Sequence, residues 1–375
     1  IRKNWKWSDG KPVTAHDFEY SFKQNVNPAS ASVHAWRLYI IKNAKAIHKG
    51  EMDVDKMGVK ALDDHTLQIK TNSNATWFLG SLGSTGYAIP KWTREKYGVN
   101  WTRPENIVVC GPYKLVELKP NNAYILEKNP SYYDADKVQI KKVNYYIIPS
   151  LSTSMAMYEN GELDLAIVPP EDADRVQNDS KLSQEYVKVP RLRVNYYAFN
   201  SHTKPFDNQN VRQAFALAID KKTLVEYITR GGEIPAYTLT PPGAFGHFSA
   251  DSGIGLFYNP KLAQQKLAKA GYPNGKGFPA VTLGYRAIDI EANIAQALQQ
   301  MWKQSLGITV KLTSVEGGGY GKLARSGTYN ISSLGWGMDY PDANNIHAEL
   351  FHSSVGHKSF PVIPAYDKAI DQAES

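Results

Sequence analysis

Two spacings of apolar residues alternate along this chain, one near four and one of two, divided by clusters of Gly, Pro, Asn and Asp. Trp5-Lys6-Trp7 alternates like a strand and runs into a turn at Ser8–Lys11. Thr14 then opens a helix, with Asp17 three residues on in the capping-box position. Phe18, Phe22 and Val26 give that helix one apolar face, and Asn27-Pro28 ends it. A second helix is predicted around Ala35–Ile47, and a short strand over Leu67–Lys70 follows the Asp63–His65 turn. Ser81–Gly86, rich in Gly and Ser, reads as loop. Strands are predicted over Val108–Val116, broken by Gly111-Pro112, then over Tyr124–Glu127 and Val143–Ile148. Leu151–Glu159 reads as a helix stopped by Asn160-Gly161. Leu163–Val168 reads as a buried strand, which would make a parallel crossover unit.

Val187–Pro190 and Val194–Asn200 form a long extended segment. Asp207 and Asp220 are placed to cap two helices, and Asn259-Pro260 starts a third at the position Pro prefers. Val281–Tyr285 is a strand. Ile294, Leu298, Met301 and Trp302 stripe a helix stopped by Gly307, and Ile308, Val310 and Leu312 alternate as the next strand. This half runs helix–strand–helix–strand into a strand at Tyr329–Leu334, which is followed by Gly335, Trp336, Gly337, Asp339 and the turn Tyr340-Pro341-Asp342. That stretch has two readings. It is an ordinary strand end with a buried Trp and a turn-capping Asp, or a flat aromatic and a carboxylate presented to a cationic group.

Composition narrows the class. The 375 residues suffice for two or three domains with a sizeable core. The 23 tyrosines and 8 tryptophans are partly core, and such residues also line binding clefts. The formal charge of +7 comes from basic residues interspersed with acidic ones, which favours a mixed solvated surface over nucleic-acid binding. One cysteine, Cys110, excludes an internal disulfide and a Cys-based metal site, and reads as a small buried residue. The apolar runs are too short to span a bilayer. A start at Ile1-Arg2-Lys3 and a stop in the acidic helical stretch Tyr366–Ser375 read as a piece of a longer chain.

Catalytic patterns fail one by one. Glu316–Leu323 has Glu where a phosphate loop needs its first Gly and Leu where it needs a hydroxyl. Leu82–Gly86 lacks the first Gly of a nucleophile elbow. His347, His352 and His357 are five apart, which is not a metal-helix spacing. The chain therefore reads as a protein without cofactor or metal, and not as an enzyme.

Several motifs in order resemble one family, the extracytoplasmic oligopeptide-binding proteins of ABC peptide importers, within the dipeptide/oligopeptide/nickel group. They are Lys6–Phe18, Gly58–Leu67, Gly111–Tyr113, Asn129–Tyr133, Tyr158–Asp164, Tyr197–Asn200, Pro205–Phe215, Ala218–Lys221 and Gly335–Pro341. The resemblance implies an α/β fold, a periplasmic-binding-protein-like (type II) two-lobed clamp with an extra domain on the first lobe, truncated here at both ends. Residues 1–90 would be the extra domain, 91–190 part of the first lobe and 191–375 part of the second, with the hinge near 189–193. It implies a monomer that binds peptide and serves a membrane permease, without nucleic acid. It also implies a location outside the cytoplasm, in the periplasm or as a surface lipoprotein.

Carried over residue by residue, Asp339 would bind the peptide's α-ammonium group beside Trp336. Main-chain groups near Gly335 and at Asn195, Tyr196 and Tyr197 would pair with an extended peptide. His34 stands where the family has a backbone-contacting tyrosine. Arg325 is the nearest match to residues that bind ligand carboxylates. Some relatives tie the hinge strand to the Gly-Trp loop by a disulfide. The matching positions here are Arg193 and Gly337, which leads to an expected ion pair from Arg193 to Asp342 or Asp339. Other readings are a relative that binds cell-wall peptide, nickel or haem, a peptide hydrolase, and an adhesin for anionic partners.

Overall fold

A computed structural model describes every residue except 33, 355–358 and 375. His357 therefore lies outside the described residues. The chain divides into two compact units, Ile1–Ala166 and Ile167–Ala373.

In the first unit the Thr14 capping box forms. Thr14 N–H donates to Asp17 Oδ2 at 2.8 Å and starts the helix Ala15–Val26. Phe18, Phe22 and Val26 are buried, as their spacing predicts, in a cluster with Trp7, Leu38, Ile41 and Ile47. The hairpin β1 (Val59–Asp63) and β2 (Thr66–Ile69) adds Val59 to that cluster. The helix expected over Ala35–Ile47 is split instead into a 3-10 turn, Ala35–Leu38, and a helix, Ala44–His48. Asn43, left-handed at φ 67°, separates them.

Ser81–Gly86, expected as loop, is the end of a helix, Phe78–Thr85. Its hydroxyls stay compatible with the helix by bonding back to the preceding turn: Ser81 Oγ donates to Phe78 O at 2.7 Å and Thr85 Oγ1 to Ser81 O at 3.0 Å. β3 (Tyr113–Lys119), β4 (Ala123–Lys128) and β5 (Lys142–Tyr146) make an antiparallel meander. The helix Leu151–Glu159 follows, capped by Ser150. Leu163–Val168 is neither a strand nor buried: Leu165 is 82% and Ile167 66% exposed. A central strand needs a hydrogen-bonded neighbour, and no described strand supplies one, so the expected crossover unit does not form.

The second unit holds a four-stranded sheet of order β6–β9–β7–β8. These are β6 (Arg193–Phe199), β7 (Thr282–Arg286), β8 (Lys311–Val315) and β9 (Ile331–Gly337). β6 and β9 are antiparallel, whereas β7 is parallel to both β8 and β9. The helix Asp289–Leu306 joins β7 to β8, stopped by left-handed Gly307 as its sequence predicts. It packs Leu298 and Trp302 onto Phe215, Leu283 and Ile331, and Trp302 Nε1 donates to Phe215 O at 3.0 Å.

Asn208, not Asp207, caps the helix Gln209–Leu217, since its Oδ1 accepts from Asn210 N–H at 2.9 Å. Asn259 caps the helix Pro260–Lys269 as predicted. Residues 167–190 pack with this unit. Asp174, on the helix Ala173–Asn178, forms an ion pair with Arg230.

Candidate functional site

The candidate site is the end of β9. β6 runs along one side of it, pairing Arg193 with Gly337, Val194 with Trp336, Asn195 with Gly335 and Tyr196 with Leu334. Met338 N–H donates to Leu192 O at 2.7 Å and Asn200 N–H to Asn330 O at 2.9 Å. Both bonds continue this ladder, so the even-numbered residues of β9 point their peptide groups at β6. The peptide groups of Gly335 and Gly337 point the other way. There β7 pairs only with Ile331 and Ser332, and then the two strands part. Ser333 O is taken by the Tyr320 hydroxyl at 2.6 Å. Beyond it no described strand covers the edge of β9. An open edge of this kind accepts an extended chain.

Alternation gives the end of β9 two unlike faces. On one, Trp336 is half-buried among Val194, Tyr196, Ile346, Leu350 and Phe360. Its indole Nε1 donates to Asn345 Oδ1 at 2.8 Å, and Asp339 N–H reaches the same oxygen at 3.2 Å. Asn345 is fully buried, and its Nδ2 donates to Glu349 Oε2 at 2.6 Å. Tyr340 Oη lies 2.7 Å from Asn344 Oδ1 and 3.0 Å from Glu349 Oε1. Burial, and then the Glu349 carboxylate, hold the Tyr340 phenol far above its ordinary range. The Asp339 side chain is half-buried at the head of this network.

On the other face lie Arg193, Asn195 and Tyr197, beside Gly335 and Ser333. Arg193 does not reach Asp339 or Asp342 as expected: its Nε donates to Asn195 Oδ1 at 3.0 Å. The reason is register, because residues two apart on a strand share a face, and this pair lies along β6. A Cβ at Gly335 would meet the Arg193 guanidinium and lie 2.7 Å from Asn195 Oδ1. The absence of a side chain there lets the arginine lie over the strand.

The remaining sequence candidates fall in different places. Tyr196 joins the Trp336 face, where burial raises its phenol, with the Arg325 and Arg193 charges opposing. Tyr197 packs against the main core and is raised by burial, opposed by a bond to Ser333. Arg325 is exposed at the end of the helix Tyr320–Arg325. His34 is exposed in the first unit, at the start of the 3-10 turn Ala35–Leu38. Cys110 is half-buried, and that burial pushes its thiol up to about 11. Among the described residues no group of His, Cys, Asp and Glu is arranged to hold a metal ion.

Sequence reading missed Asn345 and Glu349, which hold the Trp336 loop, and Arg286 and Glu291 beside its other face. Only the four-residue spacing from Asn345 to Glu349, one helical turn, marked the first pair.

The mixed sheet has a strand end that offers an open edge, an aromatic and a carboxylate, and the chain has the type II solute-binding fold. A family model of bacterial extracellular solute-binding proteins, family 5, matches residues 1–358, and the chain belongs to that family. It is 33% identical to the oligopeptide-binding protein OppA of Bacillus subtilis, over 100% of this chain and 70% of that one. It is also 33% identical to a probable deoxycholate-binding periplasmic protein, YgiS, of Escherichia coli, over 100% of this chain and 70% of the other. Among solved structures, a periplasmic oligopeptide-binding protein of Borrelia burgdorferi superimposes with a TM-score of 0.89 at 32% identity, over 100% of this chain and 75% of that one. Family membership puts the protein's work outside the cytoplasm. No helix of the described residues is long and apolar enough to cross a membrane.

Proposed function

We propose that the protein captures extended peptides by adding them as a strand to the open edge of β9, and delivers them to the permease of an ABC importer. The observation that carries this reading is the outward set of the Gly335 and Gly337 peptide groups, next to Trp336 and Asp339. Main-chain pairing is blind to ligand sequence, which suits a protein that takes many peptides. Asp339 pairs with the ligand's α-ammonium group, and its backbone is fixed for that task by Asn345. The protein works as a monomer, without catalysis, in the periplasm or as a surface lipoprotein. The Bacillus subtilis and Borrelia burgdorferi relatives, named for oligopeptides, support the ligand class.

The test is Asp339→Asn. Peptides with a free N-terminus are expected to lose about 10- to 100-fold in affinity by calorimetry, the worth of one charge-assisted pair. N-acetylated peptides are expected to lose little. Equal loss for both would remove Asp339 from the ammonium role.

A second reading, a steroid-acid binder, is favoured by the equal identity to YgiS. Native mass spectrometry of the purified protein separates the two: co-purified intact peptides support the first, and bound deoxycholate the second.

A further inference from the structure

The face of β9 opposite Trp336 carries surplus positive charge. Arg286, at the end of β7, spends its charge on Glu291: its Nε donates to Glu291 Oε1 at 2.6 Å and its backbone N–H to Oε2 at 3.0 Å. Ser333 Oγ donates to the same Oε2 at 3.1 Å, so both oxygens of this buried carboxylate are occupied. Arg193 and Arg191 remain. Among the described residues Arg193 has no carboxylate partner, only the neutral Asn195. Partial burial lowers its affinity for its proton, the neighbouring Arg286 and Arg191 charges lower it further, and the Glu291 carboxylate and Tyr196 oppose them in part. Like charges gathered at an exposed strand edge repel one another, and an anion placed among them relieves that repulsion.

The strand geometry says where such an anion would come from. A chain laid along the open edge of β9 sets the residue opposite Gly335 on the same face as Gly335, beside the Arg193 guanidinium. We propose that Arg193, with Arg191 beside it, is a specificity determinant that takes the carboxylate of an acidic side chain, Asp or Glu, on the ligand residue opposite Gly335. Asn195 holds the guanidinium in place through Nε and leaves its outer nitrogens for the ligand. This inference rests on peptide capture at β9.

The experiment uses peptides of five alanines with a free N-terminus and an amidated C-terminus, so that no terminal carboxylate competes. One Glu, or one Gln, replaces each alanine in turn, and affinities are measured by calorimetry at low salt. The quantity read is the Glu-to-Gln ratio within each protein. The ratio is expected to reach about tenfold at one position in the native protein. In Arg193→Gln it is expected to fall to near unity at that position, and in Arg193→Lys to return in part. Equal affinities for Glu and Gln at every position, or a ratio unchanged in Arg193→Gln, would overturn the proposal. If the all-alanine peptide itself does not bind, peptide capture fails and this inference with it, an outcome distinct from binding without acid preference.

Discussion

The two ends of β9 differ in what covers them. At Ile331–Ser333 it is buried, with residual exposures of 0%, 2% and 8%, and at Ile331 and Ser332 it is paired on both sides. At Gly335–Gly337 it keeps β6 alone, and its residues are half-buried or exposed. Side chains change to match: Ile, Ser and Ser where the strand is packed, Gly, Trp and Gly where it is open. A buried strand cannot offer its peptide groups to a ligand, and an open one contributes little to the core. Under the proposed function, recognition is placed where β7 turns away, and stability is left to the part that β7 covers.

The sharpest way to break this contrast is to cut both ends alike. Ile331→Ala removes a fully buried side chain from the Phe215–Trp302 cluster and should destabilise the second unit by about 2–5 kcal/mol, read by chemical denaturation. Trp336→Ala removes a half-buried ring and should cost less stability, yet weaken peptide binding more than Ile331→Ala does. The reverse order in both measurements would end the division between a packed half and a recognising half.

Much of this arrangement was legible beforehand. The capping box at Thr14, the stripe of Ile294, Leu298 and Trp302, and the strand leading to Trp336 all formed, because each rests on local spacing. The pairing of Arg193 with Gly337 was reached through motif order. What failed were features settled at long range. Leu163–Val168 has the composition of a buried strand, and no neighbour among the described residues to make it one. The helix at Phe78–Thr85 hid behind Gly and Ser, since nothing local shows that hydroxyls will bond back into the turn. The Arg193 contact went to Asn195 because strand register, not charge attraction, decides which side chains meet.

The next test concerns what keeps the recognising half in shape. Asn345 is buried and receives both Trp336 Nε1 and Asp339 N–H on one oxygen. Asn345→Leu keeps the volume but leaves those donors and Glu349 without this partner, a loss of about 1–3 kcal/mol in stability. Affinity should fall as well, because Trp336 and Asp339 lose a common anchor, and it should fall for acetylated and free peptides alike. A loss confined to free N-termini would mean that Asn345 acts on Asp339 alone.

The smallest effect concerns pH and His347. His347 lies two residues beyond Asn345, with Nε2 at 3.2 Å from Thr240 Oγ1 and Nδ1 at 2.9 Å from Tyr366 Oη. Burial holds its pKa below the ordinary 6.5. Well above pH 6.5 the ring is uncharged in the folded and unfolded chain alike, so it contributes no slope there. As pH falls below 6.5 the unfolded chain takes up the proton first, while the folded ring resists it until its own lower pKa is reached. Stability is therefore lost through that window as the solution is acidified, and the loss levels off once the folded ring is charged. His347→Gln should remove this part of the slope, seen by comparing thermal unfolding of the two proteins from neutral to mildly acidic pH. Parallel curves across that range would show that His347 titrates alike in both states, and that burial beside Thr240 and Tyr366 does not govern its charge.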